Sequence, residues 1–103
     1  MLKRLQGGFK IIHYEFKNYT EIAAYEALHE YLRNNIIPCS CERCLADIMA
    51  LALNRLPQHY YVSLRGELIL KSESQTLSDQ ARVMADVVRA VQQVSAKPSH
   101  TLD

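Results

Sequence analysis

Three thiols fall within six residues of this chain, Cys39-Ser40-Cys41-Glu42-Arg43-Cys44, and they are its densest concentration of chemistry. They cannot all pair with one another, and a reducing compartment keeps such thiols reduced. Cys41 and Cys44 stand where a helix is expected to begin. The helix dipole and the unpaired backbone N–H groups of a first turn favour thiolate over thiol. A Cys-x-x-Cys spacing across a helix start lets two sulfurs converge on one ion, and Cys39 can reach it from the preceding loop. Zinc suits thiolates in a tetrahedron, and a structural zinc site needs four protein ligands. The chain's imidazoles, His13, His29, His59 and His100, are the candidates for the fourth. Two other readings stand beside the metal. Cys41 and Cys44 could be a redox dithiol, although the chain lacks the βαβ context of thioredoxin-like sites. The three could also be inert small apolar residues.

A second concentration is Leu53-Asn54-Arg55-Leu56-Pro57-Gln58-His59-Tyr60-Tyr61. A guanidinium forks onto a phosphate or onto guanine O6 and N7, and an aromatic face stacks on a base. The candidate ligand-binding residues are therefore Arg55, Asn54, His59, Tyr60 and Tyr61, joined by Arg43 from the cysteine cluster. The plainer alternative is a helix stop with Tyr60 packed in the core and Arg55 in water.

Other polar residues read as structural. Asp47 shares a helix face with Cys44 and suits an ion pair with Arg43 or Arg55, or a supporting contact to the cluster. His29, Tyr25 and Tyr31 read as helix packing. There is no Ser/His/Asp order, no paired-carboxylate arrangement and no Gly-rich phosphate loop, so the expectation is a protein that is not an enzyme.

These residues need elements to position them. Ile12, Tyr14 and Phe16 alternate with His13, Glu15 and Lys17, a period of two that suggests a short strand or extended arm after a Gly7-Gly8 joint. A first helix is expected over 19–34, capped by Asn18 or Thr20, with Ile22, Tyr25, Leu28 (or His29) and Leu32 at helical spacing. Asn34-Asn35 and Pro38 end it. A second helix is expected over 42–56. Its stripe of Leu45, Ile48, Met49, Ala52, Leu53 and Leu56 is broad enough to make it the central one. After Pro57, Tyr60-Tyr61-Val62 and Glu67 to Leu70 suggest two short strands or an irregular loop, and 71–75 a polar linker. A last helix is expected over 77–96, started by Ser78 with Asp79, its apolar face being Ala81, Met84, Val87, Val88, Val91 and Val94. The fold class is thus mainly α. One small helical domain over 18–97 follows an N-terminal arm of 1–17 and precedes a polar, frayed C-terminal tail of 98–103.

Composition sets the outer bounds. At 103 residues, 49% apolar and 22% charged, the chain suits a single globular domain with little core to spare. A bound metal or a dimer interface would help it. Its net charge of +1 has no basic run, which argues against bulk nucleic-acid binding. No apolar stretch approaches the roughly 18 residues of a membrane span, and no h-region follows the charged start. A cytoplasmic protein is expected, with no membrane partner.

From Cys39 to Tyr60 the chain resembles the ComFB late-competence family, whose outline is C-x-C-x-x-C, then D-[IV]-x-A-x-x-L-N-x-[LV], then a proline-containing turn and a tyrosine. Cysteine spacing, Asp47, Leu53-Asn54 and Pro57-x-x-Tyr60 coincide in one register. The resemblance implies an all-helical, dimeric protein associated with natural competence, zinc-bound in at least some members. It also implies a receptor for cyclic dinucleotides such as cyclic di-GMP, signalling to an unknown downstream protein. Cys39, Cys41 and Cys44 match the family's cluster. Members with a fourth cysteine near the C-terminus complete the zinc there; this chain has His100 in a comparable place. Asn54, Arg55, Pro57 and Tyr60 are the matched residues for nucleotide binding.

Overall fold

A computed structural model describes residues 9–11 and 14–99. Its elements run β1 (Phe9–Ile11), β2 (Tyr14–Asn18), α1 (Tyr19–Asn34), α2 (Glu42–Arg55), β3 (Tyr60–Tyr61), α3 (Leu64–Ser74) and α4 (Leu77–Ala96). The fold is mainly α, as the periodicities indicate. Gly7-Gly8, Ile12-His13 and residues 100–103, His100 among them, lie outside the described residues.

Each helix begins at a side chain that supplies an acceptor its first turn lacks. Asn18 Oδ1 accepts from the Thr20 N–H at 3.1 Å, and Glu21 places negative charge in the first turn of α1. At the other end of α1, Asn34 and Asn35 return their amides to the carbonyls of Glu30 and Tyr31, so the chain leaves the helix there. Cys41 begins α2, Ser63 begins α3 and Thr76 begins α4. Ser78 and Asp79 were the expected starters of α4; both lie inside it, because the Thr76 hydroxyl already takes the Asp79 N–H.

The core is a three-helix packing with α2 in the centre. Ala24 and Leu28 of α1 and Val87, Ala90, Val91 and Val94 of α4 close on Cys44, Leu45, Ile48, Met49 and Ala52 of α2, with Leu56 at its end. The expected stripe on α4 is turned slightly. Val83 and Ala90 join the core, Ala81 is exposed, and Met84 and Val88 are half-buried. Asp86 fits beside the core because Arg89, one turn on, neutralises it at 2.7 Å.

The segment after Pro57 departs most from the sequence reading. Only Tyr60–Tyr61 is strand, pairing antiparallel with β2 (Asn18 opposite Tyr60, Lys17 opposite Tyr61). The residues expected as a second strand or loop, and the expected linker, form α3 instead. Ser63 caps it by accepting from the Gly66 N–H at 3.1 Å, Glu67 stands in its first turn and Lys71 in its last. No residue of α3 is buried, so the apolar run that resembles a strand is a helix lying on the surface. At the C-terminus the Ser99 hydroxyl donates to Asp47, so the chain after α4 is held against α2 as far as Ser99.

Candidate functional site

The loop 35–41 leads the chain from the end of α1 to the start of α2 and sets the three cysteines at one helix N-terminus. Cys44 is buried at 1% exposure, Cys39 is half-buried and Cys41 exposed. All three are thiols, and their sulfurs lie within 4.8 Å of one another. Cys41 is the cap: its Sγ accepts from the Cys44 N–H at 3.4 Å, and its carbonyl takes the Leu45 N–H at 3.0 Å. Burial pushes the Cys44 thiol up to about 12, helped by the hydrogen bonds and charges of Cys39 and Cys41 facing it. A neutral Cys44 is thus the resting state in the absence of a cation, and a cation among the sulfurs reverses that preference.

The donor set fits a thiophilic metal. A tetrahedron with Zn–S bonds of about 2.3 Å has edges of about 3.8 Å, so a sulfur at the limit of this cluster moves only about 1 Å to reach it. Among the described residues no histidine or carboxylate joins the three sulfurs. His29 packs instead beside Tyr25, ring centres 6.0 Å apart, and His59 lies beyond the far end of α2. Asp47, one turn after Cys44, takes Arg43 Nε at 3.3 Å and the Ser99 hydroxyl, which brings the chain just before His100 to the first turns of α2. Arg55 is not its partner.

The ligand-binding candidates divide. Arg43 stands at one end of α2 and Arg55 at the other, about 18 Å apart at 1.5 Å per residue, so Arg43 is separated from the rest by the helix that carries both. Its charge goes to Asp47. At the other end Arg55 is exposed and donates to Gln93 Oε1 of α4 at 2.6 Å, with Asn54 exposed beside it. Tyr60 is 61% exposed, which corrects the reading that places it in the core; its ring meets Phe16 edge-on at 5.9 Å. It lies outward because its backbone pairs with the short β2 on the surface. Tyr61 is half-buried.

Asn18 and Thr20 do the positioning here, a role their sequence reading as helix caps does not include. Asn18 Oδ1 accepts from the His59 N–H at 2.9 Å as well as from Thr20, and its amide donates to Gln58. Thr20 Oγ1 donates to the Pro57 carbonyl at 2.6 Å and lies 3.1 Å from His59 Nδ1. The Tyr19 N–H reaches the His59 carbonyl at 2.7 Å. Gln58 returns its amide to the carbonyls of Leu53 and Leu56, closing the end of α2. The corner is therefore fixed from both sides, with Arg55 and Tyr60 facing out.

The chain is a small helical domain with a thiol triad that could hold a metal ion at the start of its central helix, and a braced polar corner at that helix's end. Residues 17–98 match the sequence profile of the family described as Late competence development protein ComFB, and the chain belongs to that family. It is a competence-related regulatory protein at that level. The solved structure of the late competence protein ComFB from Bacillus subtilis is similar, with a TM-score of 0.75 over 85% of this chain and 97% of that one. Their sequence identity is 24%, so that likeness is one of fold. No curated protein sequence is a significant match. None of the described helices is long and apolar enough to cross a membrane.

Proposed function

We propose that the chain is a non-enzymatic, cytoplasmic regulator that works as a zinc-bound homodimer, takes a cyclic dinucleotide such as cyclic di-GMP, and relays its presence to a downstream protein. The observation that carries the reading is the corner between α2 and β3. There Tyr60 offers an exposed ring on a backbone braced by Asn18 and β2, and Arg55, five residues earlier in the chain, is exposed at the helix end. A cyclic dinucleotide carries two phosphates and two purine faces; Arg55 would supply a fork for a phosphate and Tyr60 a stacking surface for a base. Arg55 gives up a neutral partner, Gln93, for a charged one, and charge-assisted hydrogen bonds are the stronger kind. Asn54 adjoins Arg55 in sequence, and His59 and Tyr61 adjoin Tyr60.

Cys39, Cys41 and Cys44 would hold the zinc, with His100 as the fourth ligand. The anchoring of Ser99 on Asp47 supports that choice, since it brings the preceding residue to the cluster's helix. Bound zinc supplies a charge that keeps the thiols ionised and a cross-link that a domain with so small a core can use. The metal and the ligand corner occupy opposite ends of α2, so the metal's part is to hold the fold.

A second reading is a zinc-stabilised adaptor that binds only protein. The observation favouring it is α3, which buries no residue and exposes Leu64, Leu68 and Ile69. Equilibrium dialysis of zinc-loaded protein separates the two. Saturable uptake of cyclic di-GMP, with GMP excluded at the same concentration, supports the receptor; no uptake of either leaves the adaptor.

A further inference from the structure

Two adjoining hollows run along the seam between α1 and α4, lined also by the end of α3. They share Tyr19, Ala23, Ser74, Asp79 and Val83 and so form one trough. From Tyr19 to Glu30 it follows α1 for about 16 Å, three helical turns. Ala23, Ala27, Leu70, Val83 and Met84, all half-buried, make its apolar floor. The end lined by Leu56 and Leu70 has a volume of about 160 Å³. A cavity of about 150 Å³ admits benzene, so this end has room for one large apolar side chain. The rim is acidic. Glu26 and Glu30 stand one turn apart on α1, α3 and α4 supply Glu73 and Asp79, and all four are exposed. The single cation among them is Arg82. Among the described residues none of the five forms an ion pair within the chain. The whole chain carries a net charge of +1, so the excess of carboxylates is local to the trough. Leu77, between the lining residues Gln75 and Asp79, is 83% exposed.

From this we infer that the trough docks a basic amphipathic helix of a partner protein. Apolar side chains at helical spacing seat on the floor, and the lysines or arginines flanking them meet the carboxylates of the rim. Leu77 extends the apolar contact at the edge. Four carboxylates repel phosphate, which disfavours a nucleotide, a nucleic acid or an anionic bilayer in the same place. A second copy of the chain is a poor complement too, because none of the four helices carries more cations than anions. One end of the trough is walled by Thr20 and His59, 3.1 Å apart, and His59 precedes Tyr60 of the proposed nucleotide corner. A docked helix therefore lies against the turn that leads into that corner.

The inference rests on the downstream protein proposed above, and it names the face and the chemistry that hold it. The test is fluorescence anisotropy of a labelled peptide of about 14 residues, leucine and lysine at helical spacing, titrated with the full chain. A peptide with glutamate in place of lysine is the control. The lysine peptide is expected to saturate, to bind at least about tenfold more tightly than the glutamate peptide, and to weaken with salt. Glu26→Lys with Glu30→Lys is expected to cost at least about tenfold. Glu15→Lys with Glu67→Lys makes the same change of net charge at a separate hollow and is expected to cost less than about twofold. Circular dichroism checks the fold of both variants. A wild type that takes neither peptide, or equal losses in the two double variants, overturns the proposal. Sedimentation velocity that shows dissociation in Glu26→Lys with Glu30→Lys alone would give the trough to a second copy and overturn it as well. Uptake of cyclic di-GMP by the same wild-type sample reports on the receptor separately: uptake without peptide binding overturns the trough and leaves the receptor standing.

Discussion

Cys41 caps the helix whose first turn carries Cys44: the Cys41 sulfur accepts the Cys44 N–H at 3.4 Å, and all three cysteine sulfurs lie within 4.8 Å of one another. The start of α2 thus gathers the three thiols at one point of the fold. We expect about one zinc per chain, and structural zinc supplies on the order of 10 kcal/mol of apparent folding energy. Cys44→Ser should lose the metal and lower the melting temperature, both measured on protein purified without chelator. Full zinc content in Cys44→Ser, or unchanged melting of wild type under strong chelation, would contradict the site.

The fourth ligand has its own test. His100→Ala should retain the fold but bind zinc at least about tenfold more weakly, measured by competition with a chromophoric chelator. Unchanged affinity would move the fourth ligand to another residue while leaving the thiol cluster intact.

Cys44 also predicts opposite responses to pH with and without metal. In the metal-free chain its pKa rises from 9.0 to about 12 because the folded state buries the neutral thiol. Between those values the unfolded chain has released the proton and the folded one has kept it, so stability falls as pH rises from about 9 toward 12. With zinc bound the thiols are deprotonated, and acid competes with the metal instead. Urea melts of chelated and zinc-loaded protein should therefore lose midpoint in alkali and in acid respectively. A chelated protein with a flat profile above pH 9 would refute the burial argument.

Asn18 is the brace most easily tested. Asn18→Ala removes a helix cap worth about 1 kcal/mol and the acceptor of the His59 N–H. Asn18→Asp keeps that acceptor and loses only the donation to Gln58. We expect the alanine variant to be destabilised by about 1–3 kcal/mol and the aspartate by clearly less, in chemical denaturation. Equal losses would mean that the Gln58 contact, not the shared acceptor, holds the corner.

How far the sequence reveals this arrangement depends on how local each cause is. The span of α1, 19–34, its cap at Asn18 and the span of α4, 77–96, are legible because caps, periodicity and breakers act within a few residues. The thiol cluster is legible for the same reason. Helix α3 is not, because Glu67-Leu68-Ile69-Leu70 resembles a strand until Ser63 is seen to cap Gly66. The exposure of Tyr60 and the clamp of Asn18 on His59, 41 residues away, depend on tertiary placement that no window contains. The separation of Arg43 from Arg55 was calculable from helix rise once both were assigned to α2.

The receptor reading depends on the exposed Arg55 and Tyr60, and calorimetry addresses it most directly. Cyclic di-GMP is titrated into zinc-loaded wild type and into Arg55→Ala, with circular dichroism confirming that both are folded. Saturable binding to wild type is expected, weakened at least about tenfold in Arg55→Ala, a loss of roughly 1.4 kcal/mol. Tyr60→Ala should cost a comparable amount, since stacking one base on an aromatic contributes roughly 1–3 kcal/mol. Equal affinity in wild type and Arg55→Ala would remove Arg55 from the site, and no binding to zinc-loaded wild type at all would contradict the account.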